Sequence, residues 1–223
     1  MKQGLIAVLL FVMSLGFVRA EEQDPRTRVA SLRTQLAANY YTRGQYGVAL
    51  EELKNALQAK PDYAMAYNVQ GLVYTDLKEL DSADKSFRRA LDIDANDPDI
   101  NHNYGWFLCN KRDRAAESLR YFAAALKNAL YERPERSLQQ GGLCAIKVGD
   151  LKQAEDYLRK ADRTQPDNAD TLLGLAQLAY ARGEFESTRV LLARQARLGT
   201  PEAVALWLNI RNEHRLGNSE AEA

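Results

Sequence analysis

Few side chains in this chain of 223 residues could carry out chemistry. Its only cysteines are Cys109 and Cys144, and its only histidines are His102 and His214. Two cysteines cannot form a four-cysteine zinc site or a disulfide-dense scaffold, and two histidines cannot form a histidine-rich metal centre. The sequence also lacks the serine nucleophile elbow, the Cys-x-x-Cys and His-Glu-x-x-His motifs and a phosphate-binding glycine loop. We therefore predict a protein that is not an enzyme and has no cofactor or metal.

Four aspartates between residues 92 and 99 form the one acidic cluster with conceivable ligand chemistry. Their spacing lacks the central glycine and the terminal glutamate of a calcium-binding loop, so a solvated junction between helices explains them better. His102 lies between Asn101 and Asn103, and we interpret it as a groove or capping residue rather than a general base.

The composition indicates a globular chain of helices. Apolar residues make up 46% and charged residues 27% of the sequence, and 30 basic residues balance 30 acidic ones. A chain without net positive charge is a poor candidate for binding nucleic acid. Alanine (32) and leucine (31) greatly outnumber valine, isoleucine and threonine (23 together), and this excess of helix formers favours an all-α fold.

The first twenty residues are typical of a secretory signal. Lys2 precedes the uncharged, mostly apolar run 4–18, which is short for a bilayer span, and Val18-Arg19-Ala20 offers a cleavage site. We predict a signal peptide at 1–20, a short polar tether at 21–29, and export to the periplasm. The alternative is an uncleaved inner-membrane anchor. No cysteine lies in this segment, so the chain is not expected to be a lipoprotein at its N-terminus.

A 34-residue period organises the rest of the chain. Like positions recur with spacings of 34, 34, 37, 34 and 34, at Gly44, Lys78, Arg112, Gly149, Gly183 and Gly217. Small and large residues recur at fixed distances from them, which matches the tetratricopeptide (TPR) pattern of two antiparallel helices per unit. Because one unit cannot bury its own apolar face, the units must stack. We predict an all-α TPR superhelix, an α-solenoid, over residues 30–217, followed by a tail at 218–223. The predicted units are repeats 30–63, 64–97, 98–134, 135–168 and 169–202, and a capping helix at 203–216.

Two repeats depart from this pattern. Repeat three has Glu117 where alanine is expected and has three additional residues, which we place near 128–134. Repeat five has Thr188 and Gln195 at two positions that normally hold small residues. We expect a longer loop after repeat three and looser packing in repeat five.

The first helix of each unit should line an inner groove, which we expect to bind a protein partner as an extended peptide or an amphipathic helix. The candidate groove residues are Tyr41, Asn68, Leu72, Thr75, His102, Trp106, Leu143 and Ile146. Trp106 is the best single anchor, since exposed aromatic residues dominate binding hot spots; the alternative is that it packs against the next unit.

Cys109 and Cys144 lie on the first helices of neighbouring repeats. An exported chain meets an oxidising compartment, so a disulfide is allowed if the two Cα atoms come within about 7 Å. The alternative is two buried thiols that act as small apolar residues.

Two stretches, residues 103–109 and 130–136, together with the exported TPR array, resemble the PilF/PilW family. These are type IV pilus biogenesis and stability proteins of Gram-negative bacteria. The resemblance covers essentially the whole mature chain. It implies a role in assembly or stability of the secretin ring through which the pilus emerges, and it supports pairing of Cys109 with Cys144. Family members are typically lipoproteins, so the missing N-terminal cysteine is a departure. The rival functions are a general cell-envelope adaptor or co-chaperone, and a TPR domain that serves an enzyme in trans.

Overall fold

A computed structural model describes residues 24–218, and within them all regular structure is helical. The predicted signal peptide at 1–20 and most of the tail lie outside the described residues. Between residues 24 and 218 the helices form five antiparallel pairs followed by a single helix, as the repeat pattern predicts. Their bounds are α1 Pro25–Thr42, α2 Tyr46–Ala59, α3 Ala64–Asp76, α4 Leu80–Ile93, α5 Pro98–Lys111, α6 Ala115–Lys127, α7 Pro134–Lys147, α8 Leu151–Thr164, α9 Ala169–Ala181, α10 Phe185–Ala196 and α11 Ala203–Arg215.

The first helix begins earlier than the sequence pattern predicts. The carboxylate of Asp24 accepts hydrogen bonds from the backbone N–H groups of Arg26 and Thr27, and Pro25 takes the first helical position. An aspartate cap followed by proline is a strong helix start, because the proline ring presets φ and the cap pairs N–H groups that would otherwise lack partners. The prediction of a polar tether over 21–29 is therefore wrong from Pro25 onward.

Each helix pair turns through one residue in the left-handed region. At five of the six predicted like positions φ lies between 65° and 82°, at Gly44, Lys78, Gly149, Gly183 and Gly217. In repeat three the left-handed residue is Asp113 (φ 52°) and not Arg112. The turn there has one residue more: the N–H of Arg114 donates to the carbonyl of Leu108, six residues back, whereas Gln45 donates to Tyr40, five residues back.

This additional turn residue restores the small-residue pattern of repeat three. The buried small residue on α6 is Ser118, with Phe122 and Ala125 at the next core positions, so the assignment of Glu117 to that place is wrong. The other two additional residues lengthen the loop 128–133 to six residues, against four in the loop 94–97. The longer loop was predicted, but only two of its three expected residues lie in it.

The first helices form the inner layer of the stack. Within residues 24–218, consecutive first helices from α1 to α11 bring Cα atoms within 8 Å of each other, whereas no Cα atoms of different second helices (α2, α4, α6, α8 and α10) come that close. Close approach within a pair depends on glycine: a Cβ atom at Gly142 on α7 would lie 2.6 Å from the Cγ atom of Leu158 on α8. A layer that is tight on one side and spread on the other must curve, with the first helices on its concave face.

The last helix, α11, closes the stack near the predicted bounds 203–216. Ala205 and Leu208 bury against repeat five, and Asn212 donates from Nδ2 to the carbonyl of Phe185 at 3.0 Å. The predicted large polar residues of repeat five are also buried, and Gln195 has an Oε1 atom without a hydrogen-bond partner among the described residues. Within the described part of the chain, none of the helices has the length and apolar character needed to cross a membrane.

Candidate protein-binding surface

The concave face contains a cavity of about 430 Å³ that spans five first helices, here named the central pocket. Helices α1, α3, α5, α7 and α9 each contribute at least one side chain. The lining residues are Tyr41, Leu72, His102, Asn103, Trp106, Arg136, Gln139, Gln140 and Asp170. Four of the predicted groove residues therefore meet in one place. The lining combines aromatic and aliphatic surface with amides and one charge of each sign, which suits a peptide backbone and its side chains.

His102 forms the floor of the central pocket and takes part in a buried hydrogen-bonded chain. Its Nδ1 atom lies 2.9 Å from the Oγ atom of Ser137, and Ser137 donates to the phenol oxygen of Tyr131 at 3.2 Å. Burial lowers the pKa of His102 to about 3, helped by the positive charges of Arg136 and Arg133. The imidazole is therefore neutral at any physiological pH, and it connects the long loop to repeats three and four.

Two predicted groove residues do not reach the surface. Asn68 is 2% exposed and accepts a hydrogen bond from Asn103, and Thr75 is 1% exposed and donates to the carbonyl of Gly71. Asn68 therefore faces the neighbouring first helix α5, and Thr75 is buried with its hydroxyl turned back to its own helix α3. Leu143 is half-buried and would lie 3.5 Å from a Cβ atom at Gly174, so it mainly fills the α7–α9 contact.

Trp106 combines the two roles that the sequence left open. Its ring lines the central pocket and lies beneath the ammonium group of Lys111, 5.4 Å from the ring centroid. It also packs against the buried clusters on both sides of α5, which contain Leu108 and Leu138. An aromatic side chain held in this way is presented rigidly, which lowers the entropic cost of binding.

A disulfide lies beside this pocket. Cys109 is bonded to Cys144, with Cα atoms 6.1 Å apart, and joins α5 to α7 across the irregular repeat junction. Lys147 adds a polar link in the same place by donating from Nζ to Oδ1 of Asn110 at 2.9 Å.

Ile146, the remaining predicted residue, lines a second cavity on the concave face. This terminal pocket, about 660 Å³, is formed by α7, α9 and α11. Its lining residues are Ile146, Gln177, Tyr180, Ala181, Ala203, Val204, Trp207, Leu208 and Arg211. The repeat pattern predicts only a capping role for α11, although Val204, Trp207 and Arg211 occupy the groove positions of a first helix.

Comparisons with known proteins identify the chain. Tetratricopeptide repeat family models match residues 34–98 and 145–206. The crystal structure of PilW, described as a widely conserved type IV pilus biogenesis factor, superposes with a TM-score of 0.81 and is 33% identical, covering 87% of this chain and 89% of that one. The chain belongs to the PilF/PilW family of TPR proteins.

Further PilF/PilW relatives support the assignment over nearly the full length. The type IV pilus assembly protein PilF of Pseudomonas aeruginosa is 28% identical over 214 residues, covering 92% of this chain and 84% of the relative. A solved structure of Pseudomonas aeruginosa PilF gives a TM-score of 0.78 at 26% identity, covering 89% of each chain. This family is one of TPR scaffolds that bind protein partners, with no catalytic family indicated. The disulfide and the relationship to PilF indicate an extracytoplasmic protein.

Proposed function

We propose that this protein is a periplasmic TPR adaptor that holds a component of the type IV pilus machinery on its concave face and thereby assists secretin assembly or stability. The central pocket carries this proposal. It gathers Trp106 and Leu72 with hydrogen-bonding groups such as Gln139 and Gln140, all on the packed first helices. Such a surface can bind a segment of another protein without performing a reaction on it.

Mass action supplies the mechanism. A scaffold that binds the assembly-competent form of its partner raises the population of that form by its differential affinity. Rigidity favours this task, because a groove whose residues are already ordered loses little conformational entropy on binding. The disulfide between α5 and α7 and the buried His102–Ser137 contact both fix helices that line the central pocket.

The test compares two variants that each remove a partly buried side chain from the same buried cluster. Trp106→Ala removes an aromatic ring from the central pocket, whereas Leu126→Ala removes a half-buried side chain of the same buried cluster that does not line this pocket. We expect both to lose some stability, and only Trp106→Ala to weaken binding of the purified pilus secretin, by about tenfold or more. Titration by surface plasmon resonance and restoration of piliation in a deletion strain are the readouts.

Equal secretin binding by wild type and Trp106→Ala would place the contact elsewhere. Normal piliation in the deletion strain would instead favour the general cell-envelope adaptor.

A further inference from the structure

The terminal pocket leaves large apolar side chains open to solvent on the concave face of α11. Val204 is 53% exposed and Trp207 is 59% exposed, and Ile210 follows them one turn later. The opposite face of the same helix is fixed to repeat five by Ala205, Asn212 and a two-point ion pair from Arg189 to Glu213, with N–O distances of 2.9 Å. The exposed face is therefore held in place by contacts that do not involve it.

Arg211 gives this surface its charge. Its guanidinium carbon lies 4.7 Å from the ring centroid of Trp207 and 5.1 Å from that of Tyr180. It forms no ion pair with any residue between 24 and 218. Stacking between two rings fixes the plane of a guanidinium while its N–H groups remain free to donate at the edge, the arrangement that recognises a carboxylate.

Among residues 24–218, the side chains that line the cavities around Arg211 include a second arginine and no carboxylate. A neighbouring cavity of about 650 Å³ continues past Tyr180 and Ile210 to His214 and Arg215. Glu213 is the nearest acidic residue in the sequence. It forms an ion pair with Arg189 and lines neither the terminal pocket nor this neighbouring cavity. The central pocket differs, since there Asp170 accompanies Arg136.

We propose that the terminal pocket is a second docking site, which takes a protein segment presenting an aliphatic or aromatic side chain beside a carboxylate. The apolar side chain would enter between Ile146 and Trp207, and the carboxylate would meet the edge of Arg211. Charge complementarity selects this partner, because an apolar pocket whose charged lining residues, within the described chain, are arginines repels basic segments and favours acidic ones. The proposal is independent of the pilus role, since it concerns the chemistry of the ligand and not its source.

Selection from a random-peptide display library tests the proposal with the full oxidised protein. We expect wild type to enrich peptides in which Asp or Glu adjoins Leu, Ile, Phe or Trp, and Arg211→Glu to enrich Lys- or Arg-containing peptides instead. The matched control is Arg28→Glu, which makes the same charge change on the exposed face of α1 at the other end of the stack and should select like wild type.

Fluorescence titration then measures the affinity of the protein for the enriched peptides. In a Trp106→Phe background Trp207 is the only tryptophan, so its fluorescence reports binding at the terminal pocket. We expect Arg211→Glu to weaken binding of an acidic peptide about tenfold or more, the effect of losing one buried charge contact. Trp207→Ala should abolish enrichment while the melting temperature is retained.

Three outcomes would overturn the proposal. Identical selection by wild type and Arg211→Glu would show that the arginine does not recognise the ligand. A wild-type dimer in sedimentation that Arg211→Glu dissociates would make a second copy the occupant. A tenfold gain in peptide affinity on deleting residues 219–223 would make the chain's own acidic tail the occupant.

Discussion

The junction between repeats three and four and the junction between repeat five and α11 are built differently. The first carries an irregular turn and a long loop, yet it is held by the Cys109–Cys144 disulfide and by the buried chain from His102 through Ser137 to Tyr131. The second keeps the 34-residue spacing from Gly183 to Gly217, although its loop 197–202 also has six residues, and it is held by Asn212 and the Arg189–Glu213 pair.

The two junctions also differ in whether their buried polar atoms have hydrogen-bond partners. At the terminal junction the Oε1 atom of Gln195 and the Oδ1 atom of Asn212 lack partners among the described residues, and a polar atom buried without a partner costs stability. The lesson is that irregular sequence does not imply weak structure. The central junction departs from the repeat and is reinforced, whereas the terminal junction follows the repeat and leaves an apolar, cationic surface for a ligand.

Removing the disulfide should produce the largest effect. The bond closes a loop over a sequence separation of 35, and the double variant Cys109→Ala/Cys144→Ala should lose about 3–4 kcal/mol of the free energy of unfolding in the chain-entropy account. Urea unfolding followed by circular dichroism measures the loss. Reduction of the wild type should shift the midpoint in the same direction. An unchanged midpoint in both experiments would show that the disulfide does not reinforce the central junction.

Acid should weaken the central junction through His102. The unfolded chain takes up a proton near pH 6.5, whereas the folded chain does so only near pH 3, so stability is complete above pH 6.5 and falls as the pH drops between these values. At pH 5 the loss relative to pH 7 should be about 2 kcal/mol. Melting temperatures of wild type and His102→Asn, measured from pH 7 to pH 4, isolate this contribution. Parallel pH profiles for the two proteins would contradict the neutral, buried imidazole.

The smallest effect should come from the terminal junction. Asn212→Ala removes one hydrogen bond to Phe185, worth about 1 kcal/mol, and should raise amide exchange in α11 without changing exchange in α5 or α7. Hydrogen–deuterium exchange with mass spectrometry resolves the two regions. An equal rise of amide exchange in α5, α7 and α11 would mean that the two junctions unfold as one unit. The difference in stability between the junctions would then not hold.

The sequence predicts the fold well because its signals are local and repeated. The period of 34, the small residues at Ala49, Ala83 and Ala154, and the left-handed turn residues all follow from helix packing within one unit. The errors occurred where one residue was inserted: the turn at Asp113 shifted Glu117 out of the core position that Ser118 fills. The helix start at Pro25 was missed, although Asp-Pro is itself a start signal.

The candidate site was harder to predict because exposure depends on neighbouring repeats. Asn68 and Thr75 occupy groove positions by number but are buried, and the distance between neighbouring first helices that decides their burial cannot be obtained from the spacing of residues alone. Trp207 and Arg211 were missed because α11 was treated as a cap, although their spacing of four residues places both on one helix face.

Hydrogen–deuterium exchange of the oxidised protein with and without the purified pilus secretin tests most directly whether the inner layer is the binding surface. Our account predicts slower exchange on secretin binding in first helices, above all α5 (Pro98–Lys111) and α7 (Pro134–Lys147), with little change in the second helices α4 and α8. Slower exchange confined to the second helices, with α5 and α7 unaffected, would contradict it.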